Sequence, residues 1–200
     1  MPKIHCICVA YERYEPLEIL IRCFLIQTCP DWTLHIIYDG EAPQRIMDIV
    51  EPFISGNRKD ERIRFYCSEE RYQNYGHPNR RSMLQSIKCD PNDFILMQND
   101  DNYMIPRTIE FIQNVIKPNT GIVYWDTVHS HMDYYVHISE LKENFIDMAA
   151  FAVRADVARR TGFNSDHFSA DGRYAEECVG TCRSMGLQII KIKKPLLIHN

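Results

Sequence analysis

In the first 126 residues, short apolar runs alternate with segments whose apolar residues recur at helical spacing. The apolar runs, each predicted to be a β-strand, are KIHCICVA, TLHIIYD, RIRFYC, DFILMQ and GIVYWD. The helices predicted between them are PLEILIRCFLIQT, about Ala42 to Ile54, about Arg80 to Lys88, and Pro106 to Ile116. Such alternation is typical of β-α-β units, so it predicts an α/β fold with a mostly parallel central sheet flanked by helices.

The pattern becomes less regular after Thr127. The later predicted elements are strands at Tyr134 to His137 and Asp147 to Val153, helices at Ala155 to Arg160 and Tyr174 to Met185, and a last strand at LQIIKIK. No linker, internal repeat or low-complexity segment separates the two parts of the sequence. A chain of 200 residues without such a boundary is predicted to form a single domain.

Composition argues against several classes of function. The formal net charge is -4 and Lys and Arg form no run, so the chain lacks the basic surface of a general nucleic-acid-binding protein. No apolar run approaches the ~20 residues of an integral membrane segment, and the N-terminus lacks a secretory pattern. A soluble, cytoplasmic protein with its eight cysteines reduced is therefore expected. Cys178 and Cys182 could form a metal pair, but no second pair lies at zinc-finger spacing.

Polar side chains follow three of the predicted strands, in VAYERYEP, IIYDG and QNDDN. Ligands of an open parallel sheet bind outside the carboxyl ends of its strands, so these stretches are candidate binding segments. Asp100 and Asp101 would repel each other unless a cation lies beside them. Carboxylates prefer Mg²⁺ or Mn²⁺, which in turn bind phosphate oxygens. A solvated turn or a helix cap is an alternative explanation for the same pair.

Other candidates also have a structural and a functional interpretation. Asp39 can form a turn with Gly40, or it can accept hydrogen bonds from a base or ribose. Arg80 and Arg81 open a predicted helix, where they are placed either for phosphate binding or for exposure to solvent.

The segment SADGRYAEECVG supplies Asp171, Glu176 and Glu177 around a predicted helix start. Carboxylates at that position commonly stabilise the helix dipole, but one of these three could act as a general base. His199 closes the strand-like PLLIH and could complete a metal shell, although a lone histidine is more often incidental.

In their order and spacing these stretches resemble the GT-A fold glycosyltransferases, specifically the family 2 type of inverting nucleotide-sugar transferases. AYERYEPLEILIRCFLIQT corresponds to that family's first loop and helix, and HIIYDG to its second strand end. NYGHPNRR corresponds to its middle segment with Asn, Gly and Arg, and QNDDNYMIP to its metal motif. The resemblance covers nearly the whole chain. It implies one Rossmann-like domain, 1–200, in which about 1–126 bind nucleotide sugar and metal and about 127–200 bind the acceptor.

The resemblance also implies a donor site and a metal site. It places Val9, Tyr11, Arg13, Asp39 and Asp100 at the nucleotide sugar, most commonly a UDP-sugar in this family. Arg80 and Arg81 are added to this donor site as the phosphate contacts expected from their place at the predicted helix start. By resemblance, Asp101 would coordinate Mn²⁺ or Mg²⁺ and Asp100 would face the ribose or the metal. His199 is the further metal ligand expected from its own chemistry.

The catalytic base is expected among the late carboxylates. Glu177 is the first choice by resemblance, Glu176 the second and Asp171 the third. The base would remove a proton from the attacking hydroxyl of a carbohydrate or other acceptor, and the sugar would be transferred with inversion. Residues of the second half that could contact that acceptor, or equally pack in the core, are Trp125, Asp126, His129, His131 and Tyr135.

Two residues depart from the family pattern, and two alternative functions are considered. Gln98 stands where many members have the first Asp of the metal motif, and Glu177 stands where Asp is usual. The first departure is compatible with a non-catalytic nucleotide- or carbohydrate-binding domain. A sugar nucleotidyltransferase is the other alternative, but such enzymes usually have a Gly-rich loop after the first strand, where this chain has AYERYEP.

Overall fold

The computed structural model describes residues 1–200 and contains one nine-stranded sheet with six α-helices. The strands are β1 (Ile4–Ala10), β2 (Trp32–Tyr38), β3 (Ile63–Cys67), β4 (Phe94–Asn99), β5 (Tyr103–Met104), β6 (Thr120–His129), β7 (Tyr135–His137), β8 (Phe151–Arg154) and β9 (Gln188–His199). The helices are α1 (Tyr14–Leu25), α2 (Gln44–Ile54), α3 (His77–Ser86), α4 (Thr108–Val115), α5 (Ala155–Thr161) and α6 (Ala170–Ser184).

The strand order is β3-β2-β1-β4-β8-β6-β9-β5, with β7 paired to β6. The parallel ladders are the long ones: β1 pairs in parallel with β2 and β4, β2 with β3, and β6 with β9. The antiparallel ladders, which join β8 to β4 and β6, β7 to β6 and β5 to β9, are short and lie in the second half of the order. The predicted α/β fold with its mostly parallel sheet is confirmed.

Burial explains why the front strands form a sheet core. Every residue of β1 and β2 is buried, as expected for strands covered on both faces. Helix α1 packs on them through residues at helical spacing, Leu17, Leu20, Ile21 and Phe24. Forty-nine of the buried apolar residues form one cluster that extends from Ile4 to Leu197, so both halves of the chain share a core. No helix is both long and apolar enough to cross a bilayer.

Several boundaries differ from the sequence prediction, among them the end of β6, which continues to His129, and the start of β8, which begins at Phe151 rather than Asp147. Helix α3 begins at His77 rather than Arg80, and α6 begins at Ala170 rather than Tyr174. The segment PLLIH is not separate, because β9 continues through it to His199. The two-residue strand β5, which pairs with the end of β9, is too short to show a periodic pattern.

Candidate active site

A cleft of about 770 Å³ lies at the carboxyl ends of β1, β2 and β4. It is bordered on the other side by the start of α6 and by the ends of β6 and β9. The sequence-predicted residues that line it are Val9, Tyr11, Arg13, Asp39, Arg80, Asp100, Asp101, Asp171 and His199. The topology therefore brings together residues from both halves of the chain at the edge where parallel sheets bind ligands.

Asp100 and Asp101 form the acidic centre of the cleft. Asp100 is buried, and its Oδ2 accepts a hydrogen bond of 3.2 Å from the backbone N–H of Tyr11. The guanidinium of Arg13 contacts Asp101, and its Nη1 lies 3.6 Å from Oδ1 of Asp100. Burial raises the pKa of the Asp100 carboxyl to about 6. One cation, Arg13, thus already faces both carboxylates, as expected for a pair that needs a positive charge beside it.

Asp39 holds the loop that closes the cleft beside β2. Its Oδ1 accepts hydrogen bonds from the backbone N–H of Tyr72 at 2.9 Å and from Nδ2 of Asn79 at 2.8 Å. Its Oδ2 accepts another of 3.0 Å from the N–H of Gln73. The carboxylate is therefore used to position the loop, and only lone pairs left over from these three bonds remain for a ligand.

Arg80 lies beneath the cleft and is 2% exposed. It donates hydrogen bonds to the carbonyl oxygen of Tyr75 at 2.5 Å and to Oδ1 of Asn99 at 2.6 Å. Its charge acts on Asp100 at one side of the cleft and on Asp147 and Asp171 at the other. Because α3 begins three residues earlier than predicted, Arg80 is not the first residue of the helix. Its buried positive charge instead offsets the negative charge of the carboxylates around it.

Arg81 does not enter the cleft. It points away and binds the segment before α6, donating a hydrogen bond of 2.8 Å to the carbonyl oxygen of Phe163 and pairing with Asp166 at 2.7 Å. The expectation that both arginines meet phosphate is therefore not supported by their positions. Consecutive helical residues point about 100° apart, which separates the two side chains.

The three carboxylates predicted as candidate bases differ in their access to the cleft, and only the one ranked last lines it. Glu177 and Glu176 are exposed on α6 outside the cleft, and Oε1 of Glu176 accepts a hydrogen bond of 3.0 Å from the N–H of Glu143. Asp171, the third choice, lies in the first turn of α6 and lines the cleft. Burial raises the pKa of Asp171 to about 6. The predicted helix start placed all three near one end, whereas the earlier start at Ala170 separates Asp171 from the other two.

Gln98 also has a different position from the one its motif suggests. Its side chain is fully buried, and Nε2 donates a hydrogen bond of 2.6 Å to the carbonyl oxygen of Asn102. Gln98 is absent from the cleft lining, so it stabilises the turn that carries Asp100 and Asp101. Its effect on a bound metal would be indirect.

The carboxyl ends of β6 and β9 contribute histidines. His129 pairs with His199 in the β6–β9 ladder, and both line the cleft together with His137. Nδ1 of His199 lies 3.0 Å from Oδ2 of Asp147, and this contact raises the pKa of His199. Asp147 was assigned to a predicted strand, but it caps a 3₁₀ turn at Met148–Ala150, and no periodic pattern marks it as a cleft residue.

The other expected acceptor contacts are divided between core and surface. Trp125 and Asp126 are buried, and Asp126 accepts hydrogen bonds from Ser139 N–H at 3.0 Å and pairs with Lys191 at 2.8 Å, so neither faces the cleft. Tyr135 is exposed but lies outside the cleft lining.

The cleft instead has an aromatic rim that the sequence did not indicate, Tyr75 and Phe168. These side chains are 66% and 76% exposed, and their rings meet edge to face at 5.8 Å between centroids. Single exposed aromatic residues in irregular segments carry no periodic signal, which is why they were missed.

Comparison of the fold with solved structures identifies a known architecture. The chain superposes on residues 1-349 of S. aureus TarS with a TM-score of 0.76 and 15% identity, covering 99% of this chain and 60% of that one. The UDP-GlcNAc complex of the same protein gives a TM-score of 0.76 at 12% identity, covering 98% of this chain and 58% of that one.

A third similar structure is the mannosyltransferase PcManGT from Pyrobaculum calidifontis in complex with GDP-Man and Mn²⁺. Its TM-score is 0.69 at 13% identity, with 99% of this chain and 56% of that chain covered. This chain thus spans about three-fifths of the length of the TarS portion it matches. No family model matches the sequence. The chain has the GT-A glycosyltransferase fold, as the sequence motifs indicated.

Proposed function

We propose that this protein is a metal-dependent, inverting glycosyltransferase that moves a sugar from a nucleoside diphosphate donor, with UDP-sugars the first class to test, to an acceptor hydroxyl. The observation that carries the proposal is the position of Asp100 and Asp101 at the carboxyl end of β4 in a GT-A fold, with a second acidic group, Asp171, across the same cleft. Solved structures of this fold include complexes with UDP-GlcNAc and with GDP-Man and Mn²⁺.

The carboxylate oxygens of this site are suitable ligands for a hard divalent cation. Asp101 is partly exposed to the cleft and Asp100 lies behind it, so two carboxylates can share one Mn²⁺ or Mg²⁺. Arg13 contacts both carboxylates, and its side chain is half-exposed, so it can move aside or turn to a diphosphate oxygen. The bound metal would neutralise charge on the departing nucleoside diphosphate.

The nucleotide would lie along the ends of β1 and β2. Val9 and Tyr11 line this part of the cleft, and the ring of Tyr11 is covered by the guanidinium of Arg71, whose Cζ is 3.8 Å from the ring centroid. Asp39 fixes the loop that faces this surface. The aromatic ring can stack on a nucleotide base, and the guanidinium beside it can pair with a diphosphate of the same nucleotide.

Asp171 is the proposed general base. It is the one late carboxylate in the cleft, and burial raises the pKa of its carboxyl towards the range in which a base can accept a proton and still be ionised at neutral pH. It would take the proton of the acceptor hydroxyl while that oxygen attacks the sugar carbon from the face opposite the diphosphate. Attack from that side inverts the anomeric centre.

The proposal is tested by thermal unfolding in the presence of UDP, GDP and their sugar conjugates, each with and without Mn²⁺. A ligand that binds only the folded protein raises its unfolding temperature, and the increase should need both nucleotide and metal. Asp101→Asn should abolish the metal-dependent part of the increase, whereas Glu177→Gln, an exposed carboxylate outside the cleft, should leave it unchanged. If no nucleotide diphosphate gave a metal-dependent increase, the proposed function would be wrong.

A further inference from the structure

The β6–β9 ladder brings together three histidines that the proposed transfer reaction does not require as a group. His129 and His199 are direct neighbours in the ladder, and His131 follows the end of β6. The ring centroids of His129 and His199 are 4.7 Å apart, those of His129 and His131 5.3 Å, and those of His131 and His199 5.4 Å. One ring nitrogen of each lies within 4.8 Å of those of the other two. These three residues are called the histidine cluster below.

The cluster has the outer contacts of a metal site. Nδ1 of His199 faces Oδ2 of Asp147 at 3.0 Å, which leaves Nε2 of His199 free. Asp147 is itself fixed, because its Oδ1 accepts hydrogen bonds from Ala149 N–H at 2.8 Å and from Nδ2 of Asn102 at 3.2 Å. A carboxylate on the far nitrogen of an imidazole sets the tautomer and makes the other nitrogen a better metal ligand.

His129 carries a second, independent observation. Its Nε2 is buried and has no hydrogen-bond partner. A buried polar atom without a partner costs free energy, and buried ring nitrogens are normally satisfied by a protein group, water or an ion. Three imidazoles, those of His131, His137 and His199, surround the ring of His129 at 4.7–5.3 Å between centroids, and none of them donates to or accepts from this atom.

We propose that His129, His131 and His199 form a binding site for a divalent transition metal ion of the Zn²⁺ type, separate from the Asp100–Asp101 site. Three imidazole nitrogens leave one tetrahedral position for water or another ligand. Nitrogen ligands of a tetrahedral zinc at 2.0–2.1 Å lie about 3.3 Å apart, so the cluster closes on the ion by side-chain rotation. His131 is exposed and can make this movement without disturbing the core.

Ligand chemistry separates the two sites. Imidazole nitrogens favour Zn²⁺, Ni²⁺, Cu²⁺ or Co²⁺, whereas carboxylates such as Asp100 and Asp101 favour Mg²⁺ and Mn²⁺. The group of ligand atoms close enough to share one ion contains the three histidines and neither carboxylate. His199 is therefore assigned here to a site rich in nitrogen rather than to the carboxylate shell.

The test uses the metal-free full chain titrated with Co²⁺ in excess Mg²⁺, so that Mg²⁺ occupies the carboxylates. Co²⁺ in a low-coordinate nitrogen site absorbs visible light, and equimolar Zn²⁺ should displace it and remove the absorption. His131→Ala should weaken Co²⁺ binding more than about tenfold, because a ligand is lost. Asp101→Asn and His167→Ala, the latter an exposed histidine outside the cluster, should bind Co²⁺ like the unmodified protein.

Each contrary result overturns the proposal. No visible absorption with the unmodified chain would mean that the cluster does not bind the ion. Equal weakening by Asp101→Asn and His131→Ala would show one shared site, and normal binding by His131→Ala would exclude the cluster. His129→Asn provides a second variant, and circular dichroism of both variants confirms that they are folded. These outcomes do not depend on nucleotide binding, so failure here leaves the proposed transferase activity to its own test.

Discussion

At the scale of single residues, the late carboxylates differ in their access to the cleft. Asp171 lines it, whereas Glu177 lies six positions further along α6 on an exposed surface. We expect Asp171→Asn to lower kcat for sugar transfer by about 10²- to 10⁴-fold, because the amide cannot accept the proton of the acceptor hydroxyl. The KM for the nucleotide sugar should change little. Steady-state kinetics with the donor found by thermal unfolding would measure both.

The matched variant is Glu177→Gln, which makes the same change of acid to amide outside the cleft. Its kcat should stay within about twofold of the unmodified protein, in line with a surface substitution that touches no substrate. A large loss in Glu177→Gln with normal activity in Asp171→Asn would restore the original sequence-based preference.

The raised pKa of Asp171 leads to a prediction of how the free energy of unfolding depends on pH. Burial raises the pKa of its carboxyl from 3.8 to about 6 in the folded protein, so between these values the folded state binds more protons than the unfolded state. Its contribution to the free energy of unfolding is therefore full below about pH 4 and is lost as pH rises through about 6. At pH 7.5 the ionised, buried carboxylate destabilises the fold, on the order of 2 kcal/mol.

Asp171→Asn should therefore be more stable than the unmodified protein at pH 7.5 and similar to it at pH 4, where both side chains are neutral. Urea unfolding without metal or nucleotide at the two pH values would measure the difference. An equal difference at both pH values would show that the substitution acts through packing rather than through charge.

At the scale of elements, the loop between β3 and α3 is strained. Gln73, Asn74, Tyr75 and Gly76 all have positive φ, and only the last is a glycine. Hydrogen bonds to other segments maintain this conformation, among them the one that the N–H of Gln73 donates to Oδ2 of Asp39. Conformations of this kind cost of order 1–3 kcal/mol for each residue and persist where surrounding structure imposes them. The loop forms part of the cleft wall, so its conformation shapes the surface that is proposed to bind the nucleotide.

Gly76→Ala tests the importance of that shape. A Cβ at Gly76, where φ is +73°, would lie 2.6 Å from Cγ1 of Val9 and 3.2 Å from Nη1 of Arg80, so the loop must move. We expect a loss of about 1–3 kcal/mol in the free energy of unfolding and weaker nucleotide binding. Urea unfolding and ligand-induced thermal shifts would measure the two effects.

Gly180→Ala is the corresponding control within α6. A Cβ there meets no atom within 4 Å, and alanine favours a helix interior over glycine by up to about 1 kcal/mol. Gly180→Ala should be neutral or stabilising and leave nucleotide binding unchanged. Equal behaviour of the two variants would mean that the loop is not constrained by Val9 and Arg80.

Much of the sheet and its first helix could be predicted from the sequence. Strands such as β1, β2 and β4 were identifiable because parallel strands buried on both faces read as apolar runs, and α1 because its buried residues recur at helical spacing. The ends of β1 and β4 then located Arg13, Asp100 and Asp101 at the cleft. The cleft residues that lie beyond these strand ends could not be predicted in the same way, because their positions depend on contacts between segments that are distant in the sequence.

The starts of α3 and α6 were predicted wrongly, and this changed the predicted positions of side chains in the cleft. Moving the start of α6 from Tyr174 to Ala170 changes which carboxylate faces the cleft, and moving that of α3 to His77 removes Arg80 from the helix N-terminus. Neither helix start has a side-chain cap hydrogen bond that would have marked it in the sequence. Asp147 was equally hidden, since its partners His199 and Asn102 are distant in the chain.

At the scale of the whole molecule, the two halves of the chain meet through both the core and the cleft. The β4–β8 ladder joins the front strands to the back ones, and the single apolar cluster runs across that junction. Charge provides a second connection, because the buried Arg80 interacts electrostatically with Asp100 of the front half and with Asp147 and Asp171 of the back half. Asp100 and Asp171 both have a pKa raised by burial, so their need for a positive neighbour is greatest in the folded state.

Arg80→Met is therefore expected to destabilise the molecule as a whole. It removes two hydrogen bonds, to Tyr75 and Asn99, and the buried positive charge that acts on Asp100, Asp147 and Asp171. Breaking a buried charge cluster in this way typically costs about 3–5 kcal/mol. The loss should be larger at pH 8 than at pH 5, because protonation of the two raised carboxyls near pH 6 relieves the repulsion.

The adjacent arginine supplies the control. Arg81→Met removes a half-exposed side chain that pairs with Asp166 at the surface, so it should cost about 1 kcal/mol and show little dependence on pH. Urea unfolding of both variants at pH 5 and pH 8, followed by circular dichroism and by the fluorescence of Trp32 and Trp125, would measure these values. The two signals should coincide in one transition, because both tryptophans belong to the same core. Equal losses for the two variants, or a loss for Arg80→Met that does not change with pH, would show that Arg80 acts through packing rather than by joining the acidic groups of the two halves.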